Sequence, residues 1–378
     1  MDAAFGTRAS LARWPAIFWR WGVTPAVAAL WACHELLVGA AAVLPSPAGP
    51  NHATAGLPWM RGDVGWYLRI AQASYAHLPA YNAAYFPGLP AYLWLTHWPA
   101  LALLGMQVVF LALLVQVGRL AAAWGLAGWR VIVAQALVAL APAAVFYSTA
   151  YPECWEALGL CGALLAMKAG RPWRAAMWAA LAGVVDPLGL MVGVGAGLWV
   201  GWSFFRRDWA GFRDGIAWGL GSVAALAMVA GVLLANGQQA FGFIGAQRVW
   251  GAHWLIPGVQ IWQAIFQSQT HYLYTTIASL AIMPVVISGS VASVCALHAD
   301  RWRASMAWIG VVIIGITMAF YTNYAPLSSA IRFVSLDIPA AIALAGVVSR
   351  RSGFIAVAWG VPWCVLGASL FTHGWFWG

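Results

Sequence analysis

The sequence predicts an all-α polytopic membrane protein. Of its 378 residues, 63% are hydrophobic and only 8% are charged, whereas a soluble domain carries about 25% charged residues. Apolar runs of about 17–25 residues recur along the whole length, and each is long enough to cross a hydrocarbon core of about 30 Å. We therefore expect a single membrane-embedded domain over residues 1–378, built as a bundle of about 11 transmembrane segments.

The spans are predicted from the apolar runs and from the residues that interrupt them. They cover residues 14–44, 99–118, 131–149, 153–168, 175–205, 214–235, 272–297, 304–322, 330–349 and 353–373. The run 175–205 is too long for one span, and the sequence DPLG at 186–189 interrupts it. Because proline removes a backbone donor and glycine weakens a helix, we divide this run into two short legs that meet near Asp186.

Two polar segments separate these spans. The first polar segment covers residues 45–98, and its stretch 63–75 has the mixed polar and apolar character of helices that lie flat on a bilayer. The second polar segment covers residues 236–270. We expect both to lie on the same outer side of the membrane and to form the active-site face.

The basic residues predict the orientation, because arginine and lysine are enriched in cytoplasmic loops. With the N-terminus in the cytoplasm, all but four of the 19 basic residues fall on the cytoplasmic side. The four on the outer side are Arg61, Arg69, Arg248 and Arg332. The carboxylates of Asp63, Glu153 and Asp186 fall on that side as well, and Glu156 lies one turn deeper than Glu153.

Several functional classes are disfavoured by the sequence. The net charge of +9 comes from basic residues at span ends, so no nucleic-acid partner is expected. No P-loop, glycine-rich dinucleotide turn or nucleophile elbow is present. Neither the five cysteines nor the outer histidines have metal-ligand spacing, so we expect no metal and no cofactor. The outer histidines are His52, His77, His253 and His271. The N-terminus is expected to be a retained first helix.

The outer carboxylates and cations suit one kind of chemistry. An enzyme on a face without nucleotides needs a membrane-borne activated substrate, and a lipid-phosphate sugar is one. Glycosyl transfer requires a carboxylate that accepts the proton of the acceptor hydroxyl. It also requires cations or backbone donors that hold the phosphate leaving group. Asp63, together with any of the four outer arginines, would meet these requirements.

Five segments between residues 59 and 345 resemble, in the same order, the motifs of a known family. They are 63–71 (DVGWYLRIA), 85–90 (YFPGLP), 151–157 (YPECWEA), 240–251 (AFGFIGAQRVWG) and 326–333 (PLSSAIRF). The family is the PIG-V family of GPI mannosyltransferases and its bacterial relatives, which are GT-C-type membrane glycosyltransferases. The chain departs from it at Gly62, where the family has tryptophan, at Gln238, and at Asp186, where relatives carry arginine.

The resemblance implies a GT-C-like bundle and an inverting transfer of mannose, or a related sugar, from a polyprenyl-phosphate donor. Asp63 would be the catalytic base. The expected partners are the lipid-linked sugar donor, a glycolipid, glycan or protein acceptor, and membrane lipids. Candidate substrate-binding residues are Arg332, Arg61, Arg69, Glu153, Gln247, Arg248, Trp66, Tyr67, Trp250 and Asp186. The site would face the periplasm from a bacterial inner membrane, or the lumen from an ER membrane.

Structural alternatives remain open for these residues. Asp63 could cap the helix that begins there, and Asp186 could cap the second leg of the broken helix. The helix dipole alone favours Glu153 in a first turn, and Arg61 and Arg69 could contact lipid headgroups. A lipid or glycolipid transporter or flippase is an alternative function, and a non-catalytic membrane scaffold is another. Transporters repeat their broken helices, whereas the sequence predicts only one.

Overall fold

The structure, a computed structural model, describes residues 22, 24–51, 53–266, 273–298, 300–322, 327 and 329–375. The predicted start of the first span lies outside these residues, as do His52, His271 and most of the segment 323–328.

The described chain is almost entirely helical. Its α-helices are α1 (Pro25–Val43), α2 (Val64–Ala73), α3 (Gly88–Thr96), α4 (Pro99–Trp124), α5 (Trp129–Ala139), α6 (Val145–Ser148), α7 (Glu153–Lys168), α8 (Pro172–Val185), α9 (Pro187–Phe205), α10 (Trp209–Ala235), α11 (Gly242–Val249), α12 (Val259–Phe266), α13 (Leu273–Cys295), α14 (Arg301–Ala319), α15 (Ala330–Ser335), α16 (Ile338–Val347) and α17 (Arg350–Thr372). Two short strands, β1 (Ala252–Trp254) and β2 (Phe320–Thr322), pair antiparallel and join the second polar segment to the end of α14.

Seven of the described helices are long and apolar enough to cross a membrane. They are α1, α4, α9, α10, α13, α14 and α17, in each case over all or nearly all of the helix. The shorter helices α5 and α16 are also apolar. This agrees with the predicted all-α polytopic membrane protein, while the count of 11 crossings stays a prediction.

The predicted break at Asp186 is present. Helix α8 ends at Val185, and the Oδ1 atom of Asp186 accepts a hydrogen bond from the Leu188 amide at 2.9 Å. That bond satisfies one of the amides left open at the start of α9. Pro187 stands at the first position of α9, where its missing N–H costs nothing.

A second break corrects the single span predicted over residues 330–349. Helix α15 ends at Ser335, and α16 begins after Asp337, whose Oδ1 atom accepts from the Ala340 amide at 3.1 Å. The Ser290 hydroxyl of α13 donates to the other carboxylate oxygen at 3.2 Å. An aspartate that finds donors within the protein can end a helix inside an apolar run, and the composition of the run did not show this.

The span predicted over 131–149 is also divided. Helix α5 stops at Ala139, a turn covers 141–144, and α6 is a single turn. Pro142 has no N–H to continue the α-helical hydrogen bonds, which accounts for the interruption.

Small residues let the helices approach closely, as is common in membrane bundles. Helix α8 packs against α7, α9 and α10. At the α8–α10 crossing, a Cβ built on Gly221 would lie 2.2 Å from the Ala176 carbonyl oxygen. On the same helix, a Cβ on Gly219 would meet nothing within 4 Å.

We predict that Gly221→Ala destabilises the protein, because the added methyl group must push α8 and α10 apart at a backbone contact that cannot rotate away. The measurement is the thermal unfolding midpoint of the purified protein in detergent. Gly219→Ala is the matched control. It should leave the midpoint unchanged or raise it, since alanine favours a helix over glycine by up to about 1 kcal/mol. Equal midpoints for the two variants would contradict the close contact.

Candidate functional site

A cavity of about 200 Å³ lies where the two polar segments meet the broken helices. Its lining residues are Asp63, Tyr67, Ala84, Tyr85, Asp186, Pro187, Leu188, Gln247, Trp250, Ala252, Ile316, Phe320, Ser329, Arg332 and Phe333. Asp63, Tyr67 and Arg332 give the lining a polar part, and Leu188, Ile316 and Phe320 give it an apolar part. The cavity therefore offers one wall to a charged group and another to a hydrocarbon chain.

Arg332, on α15, lies between two carboxylates. Its Nη1 atom donates to Oδ2 of Asp63 at 3.1 Å, and its Nε atom donates to Oε1 of Glu153 at 2.5 Å. The guanidinium carbon lies 5.4 Å from the ring centroid of Phe146 and 5.2 Å from that of Tyr151. Two charged hydrogen bonds and two aromatic rings fix the cation in position.

Asp63 occupies the N-cap position of α2, but its side chain makes no capping hydrogen bond. Instead, its Oδ2 atom faces Arg332 and its Oδ1 atom accepts from the Tyr85 hydroxyl at 3.3 Å. The backbone amide of Asp63 donates to the Tyr151 hydroxyl at 3.0 Å. The capping alternative therefore does not account for the carboxylate, which is held at the cavity wall.

The Tyr85 hydroxyl donates a hydrogen bond to the carboxylate of Asp63. Its side chain is buried, and burial together with the negative charge of Asp63 raises the pKa of its hydroxyl. The phenol therefore keeps its proton at neutral pH and continues to donate. Tyr67 lies beside it on the lining, where burial and the nearby carboxylates of Asp186 and Asp63 raise the pKa of its hydroxyl in the same way.

Three further carboxyl groups lie near the pair formed by Asp63 and Arg332: those of Glu153, Glu156 and Asp186. The Oε2 atom of Glu153 is buried and has no hydrogen-bond partner among the described residues. The Oε1 atom of Glu156 accepts from the Gly189 amide at 2.8 Å, at the start of α9. Asp186 caps α9 and also lines the cavity. The capping alternative for Asp186 is thus observed, at the edge of the cavity.

The second polar segment contributes residues to the cavity lining. Gln247 on α11 and Trp250 just after it are both lining residues. The Trp250 ring lies 5.8 Å from Tyr85 and 5.5 Å from Trp66. Trp66 packs into this aromatic group with Tyr81 and does not line the cavity. It therefore supports the wall from behind.

The other three outer arginines do not line the cavity. Arg61 donates from Nη1 to the Asn51 carbonyl oxygen at 2.5 Å. Arg69 is exposed and lies 4.7 Å from the Trp66 ring centroid. Arg248 is exposed on α11. Arg61 and Arg69 therefore contact other residues of the first polar segment, and lipid-headgroup contact by these two arginines stays a prediction.

Sequence reasoning named Asp63, Tyr67, Asp186, Gln247, Trp250 and Arg332, which line the cavity, and Glu153, which contacts Arg332. It did not single out Tyr85, Tyr151 or Phe146. Tyr85 and Tyr151 are the first residues of two of the quoted motifs, and that position is the feature of the sequence that could have identified them as site residues. Within the described ranges, no group of three His, Cys, Asp or Glu residues is arranged to hold a metal ion.

No family model and no curated protein matches the chain. Among solved structures, it is similar to the oligosaccharyltransferase of Archaeoglobus fulgidus, determined in complex with zinc and sulfate. The identity is 11%, the TM-score is 0.49, and the alignment covers 92% of this chain and 53% of that one. The chain thus spans about half the length of that protein. The similarity is too low to carry a functional argument, and the PIG-V resemblance stays a prediction.

We predict that Arg332→Gln lowers the free energy of unfolding by about 3 kcal/mol, because it leaves two partly or fully buried carboxylates without their cation. The readout is the thermal unfolding midpoint in detergent.

The matched control is Arg351→Gln. Arg351 is exposed in the first turn of α17, and substitutions at such surface positions usually change the free energy of unfolding by no more than about 0.5 kcal/mol. If both variants unfolded at the wild-type temperature, Arg332 would not be the compensating charge of the cluster.

Proposed function

We propose that the protein is an inverting glycosyltransferase that transfers a sugar, mannose in the first instance, from a polyprenyl-phosphate donor to an acceptor hydroxyl. The observation that carries this proposal is the placement of Asp63. Its carboxylate is held by Arg332 and Tyr85 at the wall of a cavity that adjoins membrane-spanning helices. Transfer from a phosphate leaving group requires a base for the acceptor proton and a cation for the phosphate. Here Asp63 and Arg332 are joined by a hydrogen bond.

The reaction has one displacement step. The acceptor oxygen attacks the anomeric carbon, the bond from that carbon to the phosphate oxygen breaks, and its electron pair leaves with the phosphate. The acceptor proton goes to Asp63. Arg332 retains N–H donors beyond the two used by Asp63 and Glu153, since a guanidinium has five. These donors stabilise the charge that develops on the leaving phosphate.

The cavity wall supports a lipid-linked donor. Leu188, Ile316 and Phe320 give its lining an apolar side next to α9 and α14. A polyprenyl chain can extend from there along the membrane helices while its phosphate reaches Arg332. The charge distribution of the sequence supports an outer-face site, facing the periplasm in a bacterium. Mannose is favoured by the motif resemblance.

Transport of a lipid or glycolipid is the second candidate, and one observation favours it. Among the divided spans of the described chain, two are divided at an aspartate where the sequence predicted one such break, and the aspartate caps the second half of each. Paired breaks are typical of transporters with repeated halves. The breaks at Asp186 and Asp337 differ in setting, however, because only Asp186 lines the cavity.

We predict that Asp63→Asn lowers the transfer rate by about 10²-fold or more, because the amide cannot accept the acceptor proton. The measurement is release of radiolabelled mannose from polyprenyl-phosphate-mannose into a membrane lipid extract by purified protein.

Asp300→Asn is the control for this assay, since Asp300 caps α14 through the Arg303 amide at 2.9 Å, on an exposed surface. It should transfer at the wild-type rate. Equal rates for wild type and Asp63→Asn would exclude Asp63 as the base. Movement of the intact donor across the membrane of vesicles that contain the protein, without release of the sugar, would favour transport.

We predict that Arg332→Lys raises the KM for the donor while the protein stays folded. Lysine keeps a positive charge but cannot bind Asp63, Glu153 and a phosphate oxygen through separate fixed N–H groups. The assay is the same transfer reaction at varied donor concentration. An unchanged KM would argue against phosphate binding by this residue.

A further inference from the structure

A second polar cluster lies outside the cavity, within the first long apolar helix. His34 and Glu35 are adjacent on α1, near the middle of its 19 residues. The Nδ1 atom of His34 lies 2.7 Å from the Ala139 carbonyl oxygen, and its Nε2 atom lies 2.8 Å from the Ser148 hydroxyl. That hydroxyl lies 2.6 Å from Oε1 of Glu35.

Counting hydrogens in this chain leaves two arrangements that have no net charge and make every contact a hydrogen bond. A carbonyl oxygen only accepts, so Nδ1 of His34 carries a hydrogen. If the imidazole is neutral, Nε2 must accept the single hydrogen of Ser148. The contact between Ser148 and Glu35 then requires a hydrogen from Glu35, which is a neutral carboxylic acid. In the other arrangement, a doubly protonated His34 donates to Ser148, and Ser148 donates to an ionised Glu35.

The surroundings favour the neutral arrangement. His34 is fully buried, and its ring meets the edge of Phe110 at a centroid distance of 4.7 Å. The ionised arrangement would place two full charges 3.8 Å apart near the middle of this apolar helix, one on His34 and one on Glu35, whose side chain is 28% exposed. Among the described residues, no other charged side chain is bonded to either. Glu35 has one further partner, the uncharged Gln107. Burying charges in apolar surroundings is costly, whereas a chain of neutral hydrogen bonds is not.

We infer that Glu35 is a proton-binding site within the membrane region. It holds a proton at neutral pH and donates a hydrogen bond to Ser148, which in turn donates its own hydrogen to Nε2 of His34. Both arrangements contain the same number of hydrogens, so the proton can move along the chain without a change in net charge. This inference concerns the protonation of Glu35 and is independent of the proposed transfer reaction.

The chain also positions the candidate site, and this consequence rests on the proposed function. Ser148 is the last residue of α6, a single turn whose Phe146 and Tyr147 both contact α15. The Phe146 ring faces Arg332, and the Tyr147 hydroxyl donates to the Ser335 carbonyl oxygen at 2.7 Å. By holding Ser148, His34 and Glu35 fix the turn that places Phe146. We therefore assign them as positioning residues.

The test is infrared difference spectroscopy of the purified protein in lipid, in which the C=O stretch of a carboxylic acid is resolved from the bands of a carboxylate. Wild type minus Glu35→Gln should contain a carboxylic-acid band at neutral pH that shifts in D₂O. In Ser148→Ala the band should remain but shift, because its hydrogen-bond acceptor is gone. A difference spectrum that shows carboxylate bands and no acid band would overturn the inference.

The variants also give a functional readout with a conservative rescue. Glu35→Gln should match wild type in thermal stability and transfer rate, because its amide N–H donates to Ser148 as the acid does. Glu35→Leu, of similar size, should lose stability and rate, because it leaves Ser148 without this donor. If Glu35→Gln were as destabilised as Glu35→Leu, Glu35 would be an ionised partner of His34 and the inference would be wrong. Absence of transfer by wild type would count against the proposed function and leave the infrared result valid.

Discussion

The candidate site depends on one buried charge arrangement, the guanidinium of Arg332 between the carboxylates of Asp63 and Glu153. The residues bonded to Arg332 are 269 and 179 positions away in the chain. None of the three charges is stable alone beside a membrane, since an unpaired buried charge is costly. The cluster forms only when α15, α7 and the start of α2 come together. Assembly of the helix bundle and assembly of the site are therefore the same event.

Broken helices supply the remaining geometry. Irregular backbone at membrane depth is tolerated where it is buried in protein or lines a cavity. The break at Asp186 satisfies this condition through its own side chain and through Glu156, which accepts from the Gly189 amide. The break at Asp337 does so through Ser290 of α13. Each break ends one helix and begins another, and at the first break the start of α9 faces the cavity through Pro187 and Leu188.

The sequence predicted a group of residues, but not which of them meet. The positions of charge along the chain grouped Asp63, Glu153, Asp186 and Arg332, and the structure brings these four together at or beside the cavity. The same positions of charge grouped Arg61, Arg69 and Arg248 with them, although these point elsewhere. The hydropathy of a segment predicts whether it lies in the bilayer, whereas the direction in which a side chain points around its helix depends on how the helices pack. The second break was missed for a related reason, because the donors that satisfy Asp337 come from another helix and from the following turn.

The double pairing of Arg332 has a consequence for the proposed reaction. Both carboxylates compete with an incoming phosphate for the same guanidinium, and the donors closest to Asp63 and Glu153 are already used. A phosphate that binds the remaining N–H groups of Arg332 shares the positive charge of the guanidinium, and its own negative charge repels both carboxylates, so these contacts weaken. Glu153 is almost fully buried, whereas the side chain of Asp63 is 31% exposed and has a second donor in Tyr85. Asp63 is therefore the partner that can yield. Donor binding would then release the carboxylate that must accept the acceptor proton, so that the base becomes available when the sugar to be transferred is in place.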